Sequence, residues 1–183
     1  MYERLPHFVF LKNEKYLINT DFRIFINFEE KMQDEGDKKV IIDTLQSFYP
    51  AFLEIMNKNL VQEAIEKFLW FYACGKISQD NTKKNKGSNE RQFSYNHDKL
   101  LIWGTYKMYF DIDLTKIKMH WWKFKALWQV IPENAEFNKI KGYRSYKGKD
   151  KDILSLKEYY QLPPTKYELK EQIRRDKIYE MLK

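Results

Sequence analysis

His120-Trp121-Trp122-Lys123-Phe124-Lys125-Ala126-Leu127-Trp128 is the densest aromatic stretch in the chain. Read as a helix, it places Trp121, Phe124, Lys125 and Trp128 on one face at i, i+3, i+4 and i+7, with Trp122 about 100° round. Trp121, Phe124, Leu127 and Trp128 are therefore expected in a central core. Trp122 and Lys123 are expected at a rim or an interface, where Trp is enriched. A helix this ring-rich needs other apolar helices to pack against, and the flanking sequence supplies them.

Upstream, Leu60, Ala64, Phe68 and Tyr72 recur at i+4 spacing and predict a helix over about Asn59–Ala73, with Gly75 placed for a left-handed stop. Ile41, Leu45 and Phe48 predict another over Lys39–Phe48, ending before Pro50. Thr20 or Asp21 can cap a third that carries Phe22, Phe25 and Ile26 inward. Before it, Phe8–Leu11 and Tyr16–Ile18 are β-prone and flank a polar turn, Lys12–Lys15, which reads as a hairpin. Downstream, helices are expected over His97–Phe110 and Ala135–Arg144, the second followed by a Lys- and Gly-containing loop to Asp150. Pro163-Pro164 then precedes Thr165-x-x-Glu168, a capping box that opens a last helix. Its apolar residues Leu169, Ile173, Ile178 and Leu182 form a thin stripe among charges.

These elements predict a mainly α fold, a compact multi-helix domain with a small N-terminal β-hairpin. Residues 1–150 form that single domain, interrupted by an exposed loop at 76–92 that has one bulky apolar residue, Ile77, between Lys76 and Asn89. Residues 151–183 form a charged helical extension.

Composition excludes several classes. The chain has 183 residues, enough for one domain. Aromatics are 17% against only 6 Gly and 5 Pro, which is incompatible with a disordered or collagenous chain. A lone Cys74 excludes a disulfide scaffold or a multi-thiolate metal site. The longest apolar run, Phe68–Cys74, is far short of a membrane span, and no leader pattern opens the chain. The expected address is a reducing cytoplasm.

No motif supplies an active site. Gly142–Asp150 has the outline of a phosphate loop, but its spacer is one residue too long and Asp150 stands where a magnesium-binding hydroxyl belongs. His7, His97 and His120 are far apart in the sequence, and Cys74 lacks a local His signature. Asp111 and Asp113 sit at a helix end, where turn chemistry alone favours Asp. The expectation is a non-enzyme with no cofactor and no metal. Nucleic-acid binding is the alternative: the net charge is +7, and Lys139–Lys183 holds thirteen Lys/Arg against seven Asp/Glu, interleaved with Tyr143, Tyr146, Tyr159, Tyr160 and Tyr167.

His120–Leu127 followed by Gly142-Tyr143-Arg144-Ser145 resembles a small bacteriophage protein family named after gene product fifteen. Asn19–Arg23, Phe48-Tyr49-Pro50, Phe68–Tyr72 with Gly75-Lys76, and Ile112–Thr115 carry the same likeness. The resemblance implies a protein of phages and prophages of Gram-positive hosts, encoded among tail genes. It further implies a non-catalytic tail assembly chaperone for the tape-measure protein, the tail tube subunits or both, working in the host bacterial cytoplasm. The alternative within that setting is a virion-associated structural protein or a basic nucleic-acid binder. A chaperone of helices needs exposed apolar grooves, and a homo-oligomer would coat a long client. The residues expected to meet partners are Trp122, Lys123, Tyr143, Arg144, Ile173, Ile178 and Leu182. For Arg144 two readings stay open, a partner contact or an ion pair with a core acid.

Overall fold

A computed structural model describes residues 5–34, 38–76 and 91–181. Residues 77–90, most of the expected exposed loop, lie outside the described residues, as does Leu182. Among those described, two strands and nine helices follow in chain order: β1 (Phe8–Leu11), β2 (Glu14–Leu17), α1 (Phe22–Asp34), α2 (Lys38–Phe48), α3 (Phe52–Asn57), α4 (Val61–Tyr72), α5 (Lys99–Phe110), α6 (Trp121–Gln129), α7 (Glu136–Ser145), α8 (Lys151–Tyr159) and α9 (Lys166–Met181).

The architecture is mainly α with an N-terminal antiparallel hairpin, as expected. The turn is tighter than the sequence suggested. Val9 pairs with Tyr16 and Leu11 with Glu14, so only Lys12 and Asn13 are unpaired. Both have positive φ, 44° and 69°, the conformation of a two-residue type I′ turn that follows the strand twist. Val9, Leu11 and Tyr16 consequently point into the core, while Phe8 and Phe10 stay outside.

Helix ends are where the sequence acts most locally. Asp21 accepts from the Arg23 N–H at the start of α1 at 3.0 Å. At the end of α4, Cys74 and Gly75 are both left-handed, and the Gly75 N–H reaches the Trp70 carbonyl at 3.0 Å. A side chain at Gly75 would also meet the Trp122 ring at 3.1 Å, so glycine is required twice over. The expected Thr165/Glu168 capping box forms with both bonds in place: Thr165 Oγ1 accepts from the Glu168 N–H at 3.1 Å, and Glu168 accepts from the Thr165 N–H at 2.7 Å.

The core is an aromatic ladder. Near-parallel rings run from Phe68 of α4 to Phe25 of α1, Trp121 and Phe124 of α6, and Tyr106 of α5, with successive centroids 4.9–5.8 Å apart. All five are essentially inaccessible to solvent. Offset pairs of this kind contribute about 0.5–1.5 kcal/mol each beyond the area they bury. Leu127 and Trp128 pack against this core at its margin.

Candidate interaction surfaces

Trp122 does structural work. The last carbonyls of a helix lack intrahelical donors, and the end of α4 finds two of its partners in consecutive indoles. Trp122 Nε1 donates to the Phe71 carbonyl at 2.8 Å, and Trp121 Nε1 to the Tyr72 carbonyl at 2.9 Å. Trp122 is half-buried, with its ring against Trp70 and Phe71. Lys123 beside it is exposed and borders an open cleft lined also by His7, Asn19 and Lys118. His120 caps α6: its Nδ1 accepts from the Trp122 N–H at 3.1 Å, which leaves the proton on Nε2 to donate to the Pro6 carbonyl at 3.0 Å. Burial pushes this imidazole below its usual pKa, so it stays neutral and keeps the lone pair the cap requires.

Arg144 is corrected from a partner contact to a core residue. Its guanidinium forks onto the Asp98 carboxylate at 2.7 and 2.9 Å, and also donates to the carbonyls of Tyr160 and Gln92. Both side chains of the pair are 5% exposed. The second of the two readings therefore holds. A buried bidentate pair, with two further N–H groups bonded to carbonyls, fastens α7, the start of α5, the strap at Gln92 and the end of α8 at one point. Tyr143 is half-buried and stacks on Tyr160 at 6.0 Å, stiffening the same junction.

The C-terminal region keeps its apolar residues outside. α9 has no buried residue, and Ile173 and Ile178 are 56% and 43% exposed. The expected single stripe is not one stripe. Leu169 and Ile173 share a side, but the five-residue step to Ile178 turns about 140° round the helix. Ile178 instead shares a face with Arg174 and Met181. α9 is tethered at its start, where Arg91 pairs with Glu168 at 3.1 Å and also donates to the Pro163 carbonyl, and it touches α1. An open cleft of about 640 Å³ between α8, α9 and Arg91 is lined by Leu154, Leu162 and Pro164 among polar groups.

A second surface, almost silent in the sequence, lies along α5. α5 carries apolar residues all round, with Lys99 and Lys107 exposed among them, and its inner residues Ile102, Thr105 and Tyr106 are buried. Outside, Leu100 is 74% and Met108 79% exposed, one turn either side of Gly104. A side chain built at Gly104 would meet nothing within 4 Å. An open cleft of about 450 Å³ runs along this face, lined by Leu101, Gly104, Thr105 and Met108, with Asn134 and Glu136 on its rim. Thr105 spends its hydroxyl on the Leu101 carbonyl at 2.7 Å. The Trp103 indole is held by Asp113 at 2.9 Å. The one sign in the sequence was a Gly inside an apolar helix, a residue that needs a reason wherever it occurs there.

Two further observations bound the chemistry. Among the described residues no three His, Cys, Asp or Glu side chains come together as metal ligands would, and no helix is long and apolar enough to cross a membrane. Glu29 is the least comfortable acid: burial raises its pKa, and it accepts from the Tyr72 hydroxyl at 2.9 Å. The nearby Tyr95 hydroxyl is buried without a hydrogen-bond partner among the described residues.

A family model described as Bacteriophage Gp15 protein matches residues 1–169, which takes in the hairpin, the aromatic core and the start of α9. No curated protein matches the chain, and no solved structure matches it.

Proposed function

The chain belongs to the Bacteriophage Gp15 protein family, and on that premise we propose that it is a non-catalytic tail assembly chaperone of the host cytoplasm. Its clients in this reading are the tape-measure protein, the tail tube subunits or both. The observation that carries the reading is the pairing of a complete aromatic core with apolar helical surface left outside it, along α5 and α9. A helical, aggregation-prone client is held by laying its apolar side into such grooves, with charged residues at the rim. Apolar burial is not screened by salt, so this binding persists at moderate ionic strength.

The test is co-expression with a tape-measure protein of the same phage, followed by centrifugation and size-exclusion chromatography. The expected result is a soluble tape measure that co-elutes with this chain. A tape measure that still pellets while this chain elutes alone would refute the reading.

The α7–α8 turn supports the alternative, a nucleic-acid-binding or virion-associated structural role. Gly148 lies directly against the outer end of the Tyr146 ring, which would have to shift for any side chain there, and Asp150 accepts from the N–H groups of Asp152 and Ile153. This compact loop displays Lys147, Lys149 and Lys151 to solvent, and Tyr159, 80% exposed, stands at the far end of α8. On this alternative, oligonucleotide affinity falls steeply with salt as counterions are released.

A further inference from the structure

We propose that the chain self-assembles head to tail, the C-terminal half of α9 from one copy seating in the α5 cleft of the next. The inference does not depend on which client is bound.

Four residues lining the α5 cleft, Leu101, Gly104, Thr105 and Met108, are spaced i, i+3, i+4 and i+7. That spacing forms the hole into which one side chain of a neighbouring helix inserts as a knob. The floor of the hole is Gly104, so a second helix backbone can approach closely. Among the described residues no atom lies within 4 Å of a Cβ placed there. A helix-interior glycine weakens its helix, and here the compensation lies outside the molecule. Thr105 is the buried wall of the hole, and its hydroxyl is already bonded to the Leu101 carbonyl within α5, so it offers no free polar group there.

The complementary surface is on the same chain. α9 has 16 residues and none is buried. Its C-terminal face carries Ile178 and Met181 at i and i+3, the latter 78% exposed, with Arg174 one turn before Ile178. Among the described residues that line the cleft, Glu136 on its rim is the only charged one. Glu136 and Arg174 are held only by long pairs on their own helices, with Lys139 at 3.9 Å and Glu171 at 3.6 Å, so the cation next to the knob can turn to this acid. At 1.5 Å per residue α5 is about 18 Å long, which accommodates the last two to three turns of α9. The cleft and the helix are different patches, so the contact is heterologous: each copy offers one helix and one cleft, and assembly continues until a ring closes or a filament forms. An isologous α5–α5 contact would leave α9 bare.

The test uses the purified full chain and two variants in analytical ultracentrifugation, with circular dichroism to confirm helicity. Gly104→Arg fills the cleft from an open position and leaves α9 intact. Ile178→Asp with Met181→Asp spoils the helix face and leaves the cleft intact. The wild type is expected to show a concentration-dependent series of oligomers, and each variant alone to sediment as a monomer. Mixed, the two variants are expected to form a one-to-one complex that grows no further, because one intact helix meets one intact cleft. A wild type that stays monomeric as concentration rises overturns the proposal. So does an Ile178→Asp, Met181→Asp variant that associates as the wild type does, since that places the contact elsewhere. A mixture of the variants that remains monomeric overturns it as well.

Discussion

The junction of α4 with α6 and the C-terminal helix α9 are built from similar raw material, apolar residues spaced among charges, and they end in opposite states. At the junction the rings stack, both indole N–H groups meet carbonyls, and Phe25, Phe68, Trp121 and Phe124 are sealed from water. In α9 every side chain keeps contact with solvent, and the hydrogen bonds and ion pair that tie the helix to the body among the described residues lie at its first turn, in the capping box and Arg91. The difference lies in partnering. Where each polar group at a helix end has a fixed partner, apolar surface closes into core. Where only the first turn is fixed, it stays available.

Substitutions at the two regions test this contrast. Trp121→Ala removes a fully buried ring from the middle of the ladder and strips the Tyr72 carbonyl of its donor. A loss of about 3–5 kcal/mol is expected, read as the denaturant midpoint. A shift under 1 kcal/mol would mean the ladder is not the core. Asp98→Ala leaves a guanidinium buried without its counter-ion, and a comparable 3–5 kcal/mol loss is expected. Asp98→Asn, which keeps one acceptor, should recover part of it.

His120 adds a pH dependence. Its folded pKa is lowered, so the unfolded chain takes up the proton first as pH falls through the ordinary histidine range. Stability is therefore complete above that range and declines below about pH 6.5. His120→Asn keeps a capping acceptor and removes the titration, so its melting temperature should vary less than that of the wild type between pH 7 and pH 5.5. Equal slopes would exclude His120 as the source.

The smallest effects belong to the periphery. Ile173→Ala should change stability by no more than about 0.5 kcal/mol, as expected of an exposed site. Gly104→Ala should stabilise the monomer by roughly 0.5–1 kcal/mol, because the position is helical and open. A destabilising Gly104→Ala would show that α5 is already covered within its own chain.

What could be read from the sequence follows the same division. Local devices were legible: the Thr165/Glu168 box, the stop at Gly75, the face shared by Trp121 and Phe124. Each needs only residues within a turn or two. α3 follows Pro50 and spans six residues, too few for a period to show, and α8 buries no residue that would mark an inner face. Arg144 found its acid 46 residues away, and the indoles found their carbonyls about fifty away, separations at which spacing carries no information. The apolar residues of α9 were recognised, but the five-residue step from Ile173 to Ile178 placed them on two sides. The α5 cleft escaped because a helix apolar all round reads as interior, and only the exposure of Leu100 and Met108 shows that one side is open.

The indole caps on α4 also set an order of events during synthesis. The end of α4 leaves the ribosome before the indoles that bond its Tyr72 and Phe71 carbonyls, which lie 49 and 51 residues downstream. At about 5–20 residues per second, the delay before Trp121 and Trp122 are made is several seconds. Through that interval the N-terminal helices hold a half-built ladder, with Phe25 and Phe68 lacking the ring that lies next to Phe25 on its other side. The nascent chain is thus most vulnerable to aggregation between α4 and α6, and it closes when two consecutive codons are read.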